Sequence, residues 1–110
     1  MSVHYNCTTG RPAEVISTIR RRVSAFTRSG KVTRFKIGIS NNPDRRWNES
    51  YKYAYDEMLV VYSSSSINNV SAVEIELVNH NWECCDNMIA GGGGSIARSG
   101  PYYLYVVVKY

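Results

Sequence analysis

The sequence predicts a small α+β domain in which an antiparallel sheet of about three strands is flanked by helices. Two long stretches have the apolar spacing of amphipathic helices, and three shorter ones have the alternation or the β-branched and aromatic content of strands. A chain of 110 residues can bury one core but not two, so we expect residues 1–110 to form a single domain.

The composition is that of a globular protein with a modest positive charge. Apolar residues make up 44% and charged residues 20%, which argues against disorder. The formal net charge of +4 favours an anionic partner such as nucleic acid. No apolar run approaches the roughly 20 residues of a membrane span, and residues 1–10 lack the apolar region of a signal peptide. We expect an intracellular protein, nuclear or cytoplasmic, without a membrane partner.

The cysteines predict a reducing compartment. Cys7, Cys84 and Cys85 are an odd number, and a disulfide between the adjacent pair would be strained. A zinc site could combine His80 with the adjacent pair, joined by His4 and Cys7. Neighbouring cysteines rarely ligate one ion well and the chain has no C-x-x-C, so buried free thiols are the preferred interpretation.

The first helix is predicted over residues 12–27, PAEVISTIRRRVSAFT. Pro12 suits a first helical turn and Glu14 complements the positive end of the helix dipole. Solvent is the expected environment of Arg20, Arg21 and Arg22, with phosphate contact as the alternative. The apolar stripe consists of Val15, Ile16, Ile19, Val23 and Phe26.

A strand is predicted over residues 32–40, because its side chains alternate. Phe35, Ile37 and Ile39 share one face, while Lys36, Gly38 and Ser40 share the other. Gly38 leaves room for a close approach to the backbone.

Asn42-Pro43-Asp44 then predicts a helix start, because Asn caps, Pro pre-sets the first turn and Asp faces the dipole. A short helix with Arg45 and Arg46 follows, and residues 57–62 predict a second strand.

The third helix, over about residues 69–80, places a carboxylate within its apolar face. Val70, Val73, Leu77 and Val78 form that face, and Glu74 lies among them. Such a carboxylate must be paired, protonated or bound to a cation, since burying it alone is costly. A salt bridge to Arg46 or Arg34 and a functional role both remain open.

The C-terminal segment predicts a glycine-rich loop and a final strand. Residues 90–100 read AGGGGSIARSG, and residues 101–110 read PYYLYVVVKY, which is rich in β-formers. The glycines are not followed by Gly-Lys-Ser/Thr and lead into a strand, so a nucleotide-binding P-loop is excluded.

Two segments resemble the GIY-YIG nuclease family. Residues 35–47, FKIGISNNPDRRW, resemble the second half of its signature, with the Asn-Pro turn and with Arg46 eight residues after Gly38. Residues 72–78, AVEIELV, resemble the family's glutamate helix, in which Glu74 fits and Glu76 does not. The resemblance implies a small α+β fold and cleavage of phosphodiesters in nucleic acid.

Two departures from the family pattern concern its tyrosines. No G-I-Y segment precedes residues 35–47, but residues 103–107, YLYVV, resemble the G-I-Y strand, and we expect a circular permutation. Tyr105 would then stand in for the G-I-Y tyrosine, with Tyr103 on the same face. The runner-up is Tyr5, in an N-terminal strand before the first helix. Lys36 occupies the position of the Y-I-G tyrosine.

The resemblance implies the following site. Glu74 would hold Mg²⁺ or Mn²⁺, and Arg46 would contact the scissile phosphate. Tyr105, with Tyr103 near it, would orient or deprotonate the attacking water, for which its pKa would have to be lowered. Lys36 would bind a phosphate oxygen or orient water.

Further site positions follow from the same resemblance. In the family a further tyrosine or histidine follows the helix that carries the arginine, and Tyr51 is favoured for this position over Tyr53 and Tyr55. The family also has an asparagine late in its pattern, for which Asn87 is favoured over Asn81. The predicted nucleic-acid contacts are Lys36, Arg45, Arg46, Lys52, Asn87 and Arg98, with the first helix's arginines as further candidates.

We therefore expect a metal-dependent endonuclease that favours DNA over RNA. The alternatives are a nucleic-acid-binding module that has lost cutting, and an unrelated interaction domain whose match is accidental. We expect weak intrinsic sequence preference, with selectivity supplied by a homodimer, a partner protein or a structured substrate.

Overall fold

A computed structural model of the protein describes residues 3–27, 32–79 and 100–110. This part is an α+β fold with three helices and an open mixed sheet of four strands. The elements are β1 (Val3–Thr8), α1 (Pro12–Thr27), β2 (Arg34–Ser40), α2 (Pro43–Arg46), β3 (Glu57–Ser64), α3 (Ile67–Asn79) and β4 (Tyr102–Lys109). One π-helical turn, Trp47–Tyr51, continues α2. None of the described helices is long and apolar enough to cross a membrane.

The strand order is β1-β3-β4-β2, with β4 antiparallel to both of its neighbours and β1 parallel to β3. The three expected strands, β2, β3 and β4, are present and pair antiparallel. The prediction of an antiparallel sheet of about three strands is nevertheless wrong, because a fourth strand, β1, joins the sheet and runs parallel to β3. The additional strand, β1, pairs with the outer edge of β3, whose backbone groups would otherwise lack partners.

The sheet has two different faces. The helical face lies under α1 and α3, and its sheet residues include Phe35, Ile37, Leu104, Val106 and Val108. The tyrosine face lies on the other side, where the π-helical turn covers part of the sheet. Its buried residues are Val3, Trp47, Tyr51, Met58, Val60, Tyr105 and Val107, with Tyr55 and Tyr103 packed against them.

The predicted elements agree closely with the observed ones. The bounds of α1 are confirmed, as are the alternation of β2, the capped start of α2 and the final strand. The third helix begins at Ile67 rather than near residue 69, because Ser66 caps it: the Asn69 N–H donates to Ser66 Oγ at 3.3 Å.

An arginine ties α1 to β1. Arg22 Nη1 donates to the Asn6 carbonyl oxygen at 3.1 Å and to Thr8 Oγ1. The expectation that Arg20, Arg21 and Arg22 all face solvent is therefore wrong for Arg22, because the unpaired edge of β1 offers it two acceptors. Arg21 is exposed as expected, but the expectation is also wrong for Arg20, which is half-buried and whose Nε is fully buried.

Candidate active site

The centre of the tyrosine face is the contact between Gly38 and Tyr105. These two residues are paired across β2 and β4. A methyl group added at Gly38 would lie 2.5 Å from Tyr105 Cζ, so the phenol ring occupies the space that any other residue at position 38 would fill. The close approach that Gly38 was expected to allow is therefore made by this tyrosine.

A second tyrosine meets the first. The hydroxyls of Tyr51 and Tyr105 are 2.8 Å apart, and the two rings form an edge contact with centroids separated by 5.6 Å. The π-helical turn carries Tyr51 to this position, and the Lys52 N–H closes the turn on the Trp47 carbonyl oxygen at 2.9 Å. Single π-helical turns occur frequently at functional sites.

The start of α2 is fixed by the residues that predicted it. The Asn42 side chain accepts from the Arg45 N–H at 3.2 Å, and the Asn42 N–H donates to Ser40 Oγ at 3.0 Å. Because the cap sets where the helix begins, it also fixes the turn that carries Arg46 and Tyr51.

The charges of Arg46 and Glu74 both influence the pKa of the Tyr105 hydroxyl. Burial is the main reason that the pKa of Tyr105 lies above the ordinary phenol value, and its neighbour Tyr51 raises it further. The Arg46 guanidinium lowers that pKa and the Glu74 carboxylate raises it, so both charges lie within electrostatic range of the buried hydroxyl. The two residues selected by the family resemblance come from α2 and α3, and the charges of both influence the same buried hydroxyl.

Glu74 has no partner in the described part of the chain. Its side chain is half-buried between Val70 and Leu77, and burial raises the pKa of its carboxyl above 4.5. Among the described residues no hydrogen bond or ion pair to this carboxylate is recorded. Neither of the expected salt bridges, to Arg46 or to Arg34, forms within that part of the chain.

Lys36 and Tyr103 lie beside this centre on the same face. Lys36 is half-buried and pairs with Val107, one position along the face from Gly38. Tyr103 pairs with Ser40, and its ring makes an edge contact with Tyr5 at 6.3 Å between centroids. The face that was predicted to carry the site therefore does bring these residues together.

Arg45 and Lys52 lie on the surface of the segment that carries Arg46 and Tyr51. Arg45 pairs with Glu49 at 3.1 Å, and Lys52 Nζ lies 5.1 Å from the centroid of the Tyr53 ring. Both remain exposed to a ligand. By contrast, α1 lies on the helical face, on the opposite side of the sheet from Tyr51 and Tyr105.

Several predicted positions lie outside the described residues. They are Asn81, Asn87, Arg98, the glycine-rich segment, and the zinc candidates His80, Cys84 and Cys85. Cys7 is described, and the expectation of a buried thiol is wrong for it, because edge strand β1 leaves it exposed. Within the described ranges no three His, Cys, Asp or Glu side chains cluster as metal ligands would.

A contact between Tyr5 and Asp44 was not predicted. The Tyr5 O–H donates to Asp44 Oδ2 at 3.1 Å, which links β1 to the first turn of α2. The runner-up setting for Tyr5, an N-terminal strand before the first helix, is confirmed as a strand by β1. Its pairing with β3 has no local signal.

A scan against protein-family models, a search of curated proteins and a search of solved structures found no match to this chain. The functional interpretation therefore depends on the geometry around Gly38 and Tyr105.

Proposed function

We propose that this chain is a metal-dependent endonuclease that hydrolyses phosphodiester bonds in nucleic acid, with DNA favoured over RNA, at a site similar to that of the GIY-YIG nucleases. The main support is geometric: the Tyr51 and Tyr105 hydroxyls meet at 2.8 Å against Gly38, and the half-buried Glu74 carboxylate has no partner among the described residues. The charges of Arg46 and Glu74 both lie within electrostatic range of Tyr105. A half-buried carboxylate that has no partner within residues 3–27, 32–79 and 100–110 is costly in a structural role and suited to binding charged groups.

The donor set fits one hard divalent cation. Mg²⁺ keeps several waters and often uses one or two protein carboxylates together with substrate phosphates, so Glu74 can suffice without a cluster of ligands. Mn²⁺ accepts the same oxygen donors. When bound, the ion would neutralise negative charge on the phosphate oxygens.

Arg46 would bind the scissile phosphate. Its guanidinium can donate two parallel hydrogen bonds to phosphate oxygens. Arg46 also follows the capped first turn of α2, so its backbone is held in place before substrate arrives. Lys36, on the same face as Gly38, would add a second positive charge toward the substrate.

The paired tyrosines would orient water rather than deprotonate it. Because burial raises the pKa of Tyr105, its hydroxyl keeps its proton at neutral pH. Its oxygen can still accept a hydrogen bond from an attacking water, and Tyr51 fixes the direction of that acceptor by hydrogen bonding to it. This revises the role expected for a tyrosine with a lowered pKa.

The arrangement of strands supports the proposed circular permutation. The C-terminal strand β4 lies between β2 and β3, and its Tyr105 is opposite the Gly38 of K-I-G. The exposed Arg45 and Lys52 would contact the substrate backbone, a contribution that weakens as salt rises. We further propose that the protein works in a reducing compartment, since Cys7 is an exposed free thiol.

One observation favours a second candidate, a binding module that has lost cutting. Lys36 replaces a tyrosine of the signature, and Tyr105 does not ionise readily. Such a module would bind nucleic acid with the same arginine and lysines, and it would have no use for a carboxylate such as Glu74 in the apolar face of α3.

The test is a cleavage assay on supercoiled plasmid, labelled DNA strands and labelled RNA strands, with Mg²⁺, Mn²⁺ or EDTA. Glu74→Gln and Arg46→Ala should each reduce metal-dependent cutting by about 10²-fold or more. The matched controls Glu76→Gln, on the exposed side of α3, and Arg11→Ala, exposed before α1, should cut like wild type.

Salt-sensitive binding without cutting under any metal would favour the binding module. Cutting that survives Glu74→Gln in a folded protein would disprove the site.

A further inference from the structure

Tyr5 lies in line with the proposed site. β1 pairs with β3 so that Tyr5 is opposite Val60, and Val60 is opposite Tyr105, which is itself opposite Gly38. These residues form one row across the tyrosine face. Adjacent strands are about 4.8 Å apart, so the backbones of Tyr5 and Tyr105 are separated by about 10 Å.

The ring of Tyr5 is held from two directions. Its hydroxyl donates to Asp44 Oδ2 at 3.1 Å, and its ring meets Tyr103 at an interplanar angle of 90°. Half of the residue is nevertheless exposed, at 50% of its full surface. The ring is therefore fixed before any ligand arrives, which lowers the entropy cost of using it as a contact surface.

The Tyr5 hydroxyl is also uncharged under all ordinary conditions. Burial, followed by the hydrogen bond to Asp44, raises the pKa of Tyr5 to about 12. Tyr5 thus offers nucleic acid a neutral aromatic surface at one end of the row, and Lys36 lies on β2, the strand at the other end. Arg46 belongs to α2, whose first turn Tyr5 contacts through Asp44. An aromatic surface beside cations suits a ligand whose flat bases are joined by phosphates.

We propose that Tyr5 is a stacking platform for an unpaired base next to the cleaved phosphate, so that the substrate is single-stranded nucleic acid or a duplex with unpaired nucleotides. This inference rests on the proposed function and specifies its substrate class. In an intact duplex each base face is covered by its neighbours, and an aromatic side chain reaches a free face only when a base is unpaired.

Binding measured in EDTA separates stacking from catalysis. The probes are a fluorescent single strand of mixed sequence, the same strand in a duplex, and versions with one abasic position. Tyr5→Leu should weaken single-strand binding by roughly 5- to 100-fold, the range expected for one stacked base. Duplex binding should change less than about twofold, because a duplex presents no free base face.

Two variants serve as controls. Tyr5→Phe keeps the ring and should keep most of the affinity, which separates stacking from the hydrogen bond to Asp44. Tyr110→Leu removes a tyrosine of similar exposure, 45%, from the end of the chain, and should bind like wild type. Circular dichroism should show that each variant is folded. An abasic position at the stacked nucleotide should weaken wild-type binding and leave Tyr5→Leu unchanged.

The outcomes separate the two proposals. If wild type binds single strands and Tyr5→Leu binds them with the same affinity, the stacking proposal is wrong. The proposal that the protein is a nuclease is not affected by that result. Equal losses on single strand and duplex would likewise overturn it, because they indicate a general structural effect. No binding of wild type to any nucleic acid at low salt overturns the proposed function itself, and the platform with it.

Discussion

The helical face of the sheet buries its side chains under two helices, α1 and α3, whereas the tyrosine face brings two tyrosine hydroxyls together within its buried cluster. Under α1 and α3 the contacts are made by residues such as Ile19, Val73 and Leu104, all fully buried. On the other side Tyr51 and Tyr105 hydrogen bond to each other within the buried cluster. Burying polar groups adds no stability over burying apolar ones of the same shape, and it requires a partner for each group.

Stability and the proposed catalytic chemistry are divided between the two faces of the sheet. The helical face supplies most of the apolar burial, and substitutions there should act through the folding equilibrium. The tyrosine face holds the residues on which the proposed function depends, and substitutions there should change activity more than stability. Glu74 joins the two, because it comes from α3 yet acts on Tyr105.

The largest loss of stability is expected on the helical face. Ile19→Ala removes a fully buried side chain and should lower the free energy of unfolding by about 2–5 kcal/mol, measured by urea denaturation. The exposed Ser17→Ala on the same helix should change it by less than about 0.5 kcal/mol. Cleavage per folded molecule should stay at the wild-type rate; a large loss of rate would contradict the division between faces.

An intermediate effect is expected where the two strands of the site meet. Gly38→Ala places a methyl group against the Tyr105 ring, so the ring must move and its bond to Tyr51 breaks. We expect a loss of about 1–3 kcal/mol in stability together with a loss of cleavage.

A double mutant provides the control for this contact. In a Tyr105→Leu background the ring is gone, so Gly38→Ala should cost clearly less, as measured by urea denaturation of the four proteins in the cycle. An equal cost in both backgrounds would mean that the ring is not what requires glycine.

A smaller loss of stability, with a large loss of activity, is expected from removing one hydroxyl. Tyr105→Phe should cost about 0.5–1.5 kcal/mol, because only the bond to Tyr51 is lost. Cleavage should fall by about 10²-fold if this hydroxyl orients water.

Tyr62 offers a matched control on the helical face. Its hydroxyl donates to the Gly10 carbonyl oxygen at 2.5 Å and also hydrogen bonds with the Ser64 side chain, so Tyr62→Phe removes at least as much hydrogen bonding as Tyr105→Phe. Thermal melts should show that Tyr62→Phe loses at least as much stability, whereas cleavage should be lost only in Tyr105→Phe. Equal cleavage by both would show that the Tyr105 hydroxyl serves packing alone.

The sequence predicts those parts of the fold that depend on local signals. Apolar spacing is sufficient for α1, and the Asn42-Pro43-Asp44 cap is sufficient for the start of α2. The position of Glu74 within an apolar stripe likewise follows from helical periodicity alone.

Other features depend on contacts between distant parts of the chain. The Tyr5 hydroxyl reaches Asp44, 39 residues away, only because β1 pairs in parallel with β3. Over only five residues, the sequence pattern of a π-helical turn cannot be distinguished from that of an ordinary α-helical turn. The exact placement of Tyr51 could therefore not be predicted. Site residues were therefore easier to name than to arrange in space.

The smallest effect on stability is expected from the charge of the Glu74 carboxylate, which belongs to α3 and influences Tyr105 on the tyrosine face. Burial raises the pKa of the Glu74 carboxyl above 4.5, so at pH values between 4.5 and that raised pKa the folded protein holds a proton that the unfolded chain has lost. The contribution of this group to the free energy of unfolding is therefore greatest below pH 4.5 and falls as pH rises through the folded pKa.

Glu74→Gln removes the charge, so it should raise the melting temperature at pH 7 slightly, and the gain should shrink as pH is lowered toward 4. The exposed Glu76→Gln, measured over the same pH range, should show no comparable gain. A lower melting temperature for Glu74→Gln at pH 7 would mean that the carboxylate already has a stabilising partner, and the oxygen atoms proposed to hold the metal ion would then be engaged elsewhere.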